Sequence, residues 1–328
     1  MLRKVSPFLS LLFFVSAVSS FAQDSRRFTF HYSFAVKSLP AGKKVRVWIP
    51  AAQSDAFQDV KVVSAKGDLP LKQMREPKYG NEVYFAEADG AASELHFDIE
   101  YDITRRERVA LSPAPKLSAA ALTGKERQED LQPDALVPIT GLPADLAIKV
   151  TQGKTDPLEK AHAIYDYVFT TMKYDKTGTG WGHGDVLYAC DAKKGNCTDF
   201  HSLFIAMARS QGIPARFEIG FSLPPDKHSS EISGYHCWSD FYIDGKGWIP
   251  VDISEAWKHP EKHDYFFGSH DVNRVQFSMG RDLKLSPAQD SKPLNYFVYP
   301  YVEVDGQEHP NVSLAFSFAD EETAVAAR

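Results

Sequence analysis

The chain has 328 residues, of which 43% are hydrophobic and 24% charged. It carries no long run of one residue type or one charge, which excludes the disordered, collagenous and coiled-coil classes and leaves room for about two domains. With 37 Lys and Arg against 43 Asp and Glu, net -6, it offers no basic footprint for a phosphate backbone, and no nucleic-acid partner is expected.

At the start, Arg3 and Lys4 precede an apolar run over 8–18, followed by Ser20-Phe21-Ala22 with small residues at both cleavage-determining positions. This pattern predicts a secretory signal peptide over 1–22. The apolar run is shorter than the ~20 residues a spanning helix needs, so the expectation is an exported protein, periplasmic or secreted, with no membrane span after cleavage. An uncleaved anchor is the alternative.

From residue 23 to 111 the dominant period is two. Phe28, Phe30, Tyr32, Phe34 and Val36 alternate with smaller or polar residues, and Leu95, Phe97, Ile99 and Tyr101 repeat the pattern. Each segment therefore offers one face to a core, and with shorter strands at 44–49 and 82–86 they predict a β-sandwich domain. Ser112-Pro113-Ala114-Pro115 opens a Pro-containing stretch over 112–153, read as a linker with short helices. Asp156 and Pro157 then cap and start an amphipathic helix at the head of a catalytic-type domain over 154–281. In a second helix Phe200, Leu203, Phe204, Met207 and Ala208 share a face, and the pattern stops at Gly212-Ile213-Pro214. Strands at 216–221, 235–243 and 248–253 follow, the last two joined through Asp244-Gly245-Lys246-Gly247. Residues 282–328 read as a C-terminal β-hairpin segment and tail.

The chemistry concentrates in the second domain. If Asn196 caps its helix, Cys197 is the first helical residue, where unpaired amides and the macrodipole favour a thiolate. The Cys197 amide also faces an oxyanion forming on an attacked carbonyl. A buried inert thiol is the competing reading. A nucleophile needs a base, and the base needs an orienting group. The hairpin supplies both, because a three-residue loop over 244–246 leaves Asp252 diagonal to His236 on one face, whereas a one-residue slip separates them. Pro250 is a candidate bulge in this ladder.

Gly195-Asn196-Cys197-Thr198-Asp199-Phe200, Gly212-Ile213-Pro214-Ala215-Arg216, Tyr235-His236-Cys237-Trp238 and Gly247-Trp248-Ile249-Pro250-Val251-Asp252 together resemble the core blocks of the bacterial transglutaminase-like superfamily, over about 156–256. The resemblance implies an α+β, papain-like core behind the N-terminal β-sandwich, with Cys197 as nucleophile, His236 as general base and acid, and Asp252 as orienting carboxylate. It implies acyl transfer to an amine or hydrolysis of a peptide-like or glutamine-type amide, on a peptide or protein substrate, with no cofactor and no metal. It leaves the second oxyanion donor open, for which the indole N–H of Trp181 is a candidate.

Several alternatives stand beside this reading. His201 lies one turn after Cys197 and could rival His236 as base. Cys190, Cys197 and Cys237 with a histidine could bind zinc, although no pair has the short spacing of structural zinc sites. If Cys197 and His236 meet, Cys190 and Cys237 are drawn together as well, which predicts a disulfide between them. His270 is read as a solvated histidine. The reading from another class is a catalytically inactive binding or assembly module in the cell envelope.

Overall fold

In the strand Ser25–Val36, Phe28, Phe30, Tyr32, Phe34 and Val36 are buried, and the residues between them are only partly covered. This is the alternation that the sequence prescribes for a sheet with one face in a core. The strand lies at the centre of an antiparallel five-stranded sheet whose order is Ser229–Ile232, Val312–Asp320, Ser25–Val36, Leu95–Arg106, Gln58–Gly67. A second five-stranded sheet is ordered Gln307–Glu308, Tyr301–Val304, Lys44–Pro50, Glu82–Asp89, Lys72–Arg75. Val45, Val47 and Ile49 of the second sheet share one hydrophobic core with Phe28, Phe30 and Tyr101 of the first, so the two sheets form a sandwich. The computed structural model describes residues 24–90, 92–111 and 121–321. The expected signal peptide lies outside these residues, as do 112–120 of the expected linker and 322–328 of the tail.

The C-terminal segment is not a hairpin set apart from the sandwich. Val312–Asp320 pairs with Ser25–Val36 along its length, and Tyr301–Val304 pairs with Lys44–Pro50. Leu283, Leu285 and Phe297 cover Trp48, Val83 and Phe85 on the outer face of the second sheet. The reason is that both sheets expose an unpaired edge or an apolar outer face until this segment arrives. The end of the chain therefore completes the beginning.

Behind the sandwich stands a four-stranded antiparallel sheet, ordered Gly247–Val251, His236–Ile243, Ala215–Ser222, Arg274–Met279. The helix Cys197–Ser210 packs against its central strands and is surrounded by the helices Leu142–Val150, Pro157–Thr171 and Val186–Ala192. All of its residues from Cys197 to Arg209 are buried. The strand Arg274–Met279, in a stretch that reads as irregular from the sequence, joins the two halves. Its Phe277 ring lies 5.6 Å from Phe30, 5.4 Å from Tyr32, 5.8 Å from Tyr101 and 5.2 Å from Phe221, measured between centroids. The register of this sheet bulges at Ile219/Gly220 rather than at Pro250. A side chain at Gly220 would run into the Val275 carbonyl, and Gly220 faces His236 across the ladder. No helix among the described residues is long and apolar enough to cross a membrane.

Because Phe277 is fully buried and joins both halves, Phe277→Ala is expected to cost about 3–5 kcal/mol of unfolding free energy. Val63, on a sandwich strand and 52% exposed, is the control, and Val63→Ala should stay within about 0.5 kcal/mol of wild type. Urea denaturation followed by circular dichroism separates the two.

Candidate active site

The site begins with the way the helix Cys197–Ser210 starts. Asn196 is its N-cap, and its Oδ1 accepts from the Thr198 amide at 2.9 Å. Asp199, three residues on, reaches back to accept from the Asn196 amide at 2.9 Å. The same carboxylate accepts from Gly182 at 2.7 Å and Gly184 at 3.0 Å, tying the glycine-rich loop to the start of the helix. Burial leaves the Asp199 carboxyl above its ordinary pKa even though its three amide donors favour the anion. The backbone passes so close that a side chain at Gly195 would meet the Asp199 carboxylate. This role of Asp199 went unread, although an acidic residue three positions after an Asn cap is the capping-box signature.

The hairpin returns as the spacing predicts. Ile243 pairs with Gly247, so 244–246 form a three-residue loop, and Ser239 pairs with Val251. Asp252 thus follows the end of one strand diagonal to His236 at the start of the other. His236 Nε2 lies 2.7 Å from Asp252 Oδ2. With Nε2 engaged, Nδ1 is left for Cys197, whose side chain is close enough to shift the titration of His236. The three residues read as a triad are brought together in the expected order.

Asp252 is held from several sides. Its Oδ2 accepts from Arg274 Nη1 at 3.0 Å, and its Oδ1 accepts from the Glu255 amide at 3.1 Å as N-cap of the helix Ile253–Lys258. The Arg274 guanidinium in turn lies 4.9 Å from the centroid of the Trp238 ring.

Electrostatics follow from these contacts. Burial alone raises the Asp252 pKa, but the His236 charge, its hydrogen bond and Arg274 outweigh it, leaving the carboxyl well below its ordinary value. Burial lowers that of His236, but Asp252 and Cys197 push it up to about 10. Burial also raises the Cys197 thiol, but hydrogen bonds from Cys237 and His236 and the imidazolium charge bring it well below its ordinary value. The shifts of all three groups favour a thiolate and an imidazolium beside a carboxylate.

His201 is not a second base. Its Nε2 accepts from the Ile253 amide at 3.0 Å, so Nδ1 carries the proton and donates to the Cys197 carbonyl at 2.8 Å. Burial brings its pKa down to about 4. It is a neutral strut between the helix start and Asp252.

Two further expectations are corrected. The Trp181 indole N–H donates to the Gly178 carbonyl at 3.1 Å, so it anchors its own loop and is not aimed at an oxyanion. Cys190 and Cys237 are not bonded; all three cysteines are free and buried. Cys237 Sγ instead sits 3.6 Å from Thr198 Oγ1, while Cys190 lies on the helix Val186–Ala192 and burial pushes its thiol up to about 11. Tyr235, passed over in the sequence, sits beside the nucleophile, its hydroxyl 3.0 Å from Asn196 Nδ2 and 2.9 Å from Thr198 Oγ1. Among the described residues no cluster of three or more His, Cys, Asp or Glu side chains is placed to hold a metal ion.

Known proteins agree with this arrangement. Residues 144–253 match the family model of the transglutaminase-like superfamily. An uncharacterized protein of Haemophilus influenzae is 29% identical over 319 residues, covering 85% of each chain. The uncharacterized protein YebA of Bacillus subtilis is 26% identical over 129 residues, 35% of this chain and 18% of its own. Among solved structures, a candidate cysteine protease from Cytophaga hutchinsonii superposes with a TM-score of 0.59 at 16% identity, covering 92% of both chains. The matched segment spans Cys197, His236 and Asp252, so residues 144–253 are a transglutaminase-like superfamily domain, and the papain-like core with a sandwich ahead of it is a fold shared with the Cytophaga protein.

Proposed function

We propose that the protein is an exported cysteine-dependent enzyme that opens a peptide-like or glutamine-type amide through an acyl-Cys197 thioester, with water as the usual acceptor. The observation that carries this reading is the 2.7 Å contact of His236 Nε2 with Asp252 Oδ2, with Cys197 at the helix start close enough to His236 for each to shift the other's titration. Export rests on the leader pattern of residues 1–22.

The chemistry divides into two steps. The Cys197 thiolate attacks the amide carbonyl, forming a C–S bond, and the negative oxygen faces the Cys197 amide at the helix start. His236 gives its Nδ1 proton to the leaving nitrogen as the C–N bond breaks, while Asp252 keeps the ring oriented. In the second step His236, now neutral, takes a proton from water or from an amine, which attacks the thioester and releases Cys197. Water yields the acid and an amine yields a new amide. Cys197 is 2% exposed and His236 4% exposed, so the entrance is narrow. Half-buried Tyr235 lies beside the helix start, with its ring 5.4 Å from Tyr296 and 5.9 Å from Tyr299.

Two experiments test the reading. In the first, peptide and glutamine-type amides are incubated with the full chain, with and without a primary amine, and products are identified by mass spectrometry. Wild type is expected to release free acid in preference to amine adduct. Cys197→Ala should lose turnover by roughly 10³-fold or more, and turnover that survives this change sinks the proposal.

The second is the rate of iodoacetamide labelling of Cys197 against pH. The thiolate forms above the lowered Cys197 pKa and keeps its imidazolium partner until pH approaches the His236 value of about 10. Labelling should therefore approach its plateau well below the ordinary thiol value of ~8.5. Asp252→Asn removes the anion that raises His236, so its profile should shift toward that of an ordinary thiol, near ~8.5, with turnover reduced by roughly 10²–10⁴-fold.

A further inference from the structure

Successive side chains of a strand point to opposite sides. Cys237 follows His236 and turns onto the first turn of the helix Cys197–Ser210. There its Sγ lies 3.6 Å from Thr198 Oγ1 and 3.9 Å from His201 Nδ1, the same nitrogen that bonds the Cys197 carbonyl at 2.8 Å. The two thiols also lie close enough for each to shift the other's titration. A fully buried second sulfur therefore sits on the helix turn that carries the reactive one, and neither bond-making step of the amide chemistry calls on it.

We propose that Cys197 and Cys237 form a peroxide-sensitive dithiol, in which a small hydroperoxide oxidises Cys197 and Cys237 closes on it as a reversible disulfide that silences the site. The inference rests on Cys197 being the thiolate described above. The sulfur of Cys197 attacks the outer peroxide oxygen and the O–O bond breaks. The departing oxygen takes the His236 proton and leaves as water or an alcohol, so sulfur loses two electrons and the peroxide gains them. The product at Cys197 is a sulfenic acid. The sulfur of Cys237 then displaces the hydroxyl, its own proton leaving with that oxygen as water, and an S–S bond replaces the S–O bond.

The order of events is set by charge. Burial and the neighbouring thiolate hold Cys237 protonated while Cys197 is reduced. Oxidation discharges Cys197 and leaves His236 neutral, so the obstacle to Cys237 ionising falls only when a resolving thiol is needed. With Cys197 only 2% exposed, a water-sized peroxide reaches it more readily than a bulky disulfide oxidant. Cys190, on another helix beside Asp185, serves as an internal reference thiol.

The test uses the full chain, reduced and freed of reductant. Iodoacetamide labelling against pH first reads the thiolate by itself. The protein is then exposed to equimolar hydrogen peroxide, unfolded, alkylated and mapped by mass spectrometry. The expected result is a fall from three free thiols to one, with the Cys197 peptide joined to the Cys237 peptide and Cys190 alkylated. Dithiothreitol should restore labelling of Cys197. In Cys237→Ser, or in Cys237→Ala should the serine variant fail to fold, the same dose should carry Cys197 on to the sulfinic acid with no recovery.

Three thiols remaining, a bridge that includes Cys190, or sulfinic acid in the wild type overturns the proposal. A low-pH labelling profile without a bridge overturns the dithiol alone, whereas an ordinary thiol profile overturns the enzymatic reading together with it.

Discussion

Everything at this site depends on keeping an ion pair stable where little water reaches it. Cys197 and His236, at 2% and 4% exposure, have pKa values shifted toward opposite charges, and removing such charges from water costs several kcal/mol each unless their partners are well placed. Asp252 provides the compensation, but a buried carboxylate has the same problem. It is met by Arg274, by the Glu255 amide and by the Ser254 hydroxyl at 3.2 Å. The charges thus alternate in sign from thiolate to guanidinium, and each is stabilised by the next.

That chain of charges explains why a sandwich stands in front of the core. Arg274 opens the strand Arg274–Met279, whose Phe277 is locked among Phe30, Tyr32, Tyr101 and Phe221. The position of the guanidinium that steadies Asp252 is therefore set by aromatic packing against the sandwich. Arg108, at the end of the sandwich, makes a second buried link, with Nη1 3.0 Å from Asp240 Oδ2 on the His236 strand. The sandwich thus fixes one edge of the sheet that carries His236.

Much of this was legible because it is local. The period of two over 28–36 and 95–101, the Asn cap ahead of Cys197 and the three-residue hairpin loop are short-range rules, and each specifies the structure around it. What the sequence hid is long-range. The pairing of 312–320 with 25–36 depends on which edge lies unpaired in the finished fold, and nothing in either segment names the other. The inference that Cys190 and Cys237 approach each other failed for a geometric reason: proximity to Cys197 in sequence does not set direction, and the two side chains leave their backbones toward different helices. His270, read as solvated, is fully buried with its ring 5.7 Å from Trp238. Its neighbours in sequence carry no sign of this, since the wall that covers it comes from distant strands.

The site also shows how far identity of side chain is from identity of role. His201 and His236 both lie against Cys197, and both are buried, so desolvation lowers the pKa of each. One meets a carbonyl oxygen and an amide N–H, which together satisfy the neutral ring, and it stays neutral. The other meets a carboxylate at 2.7 Å, whose negative charge, with that of Cys197, favours the cation over the neutral ring. The two sulfurs divide in the same way. Cys197 faces a cation and ionises, whereas Cys237 faces that anion and keeps its proton. A hydrogen-bond partner chosen for one protonation state does more than burial to decide which residue reacts, and it does so without any change in the residue itself.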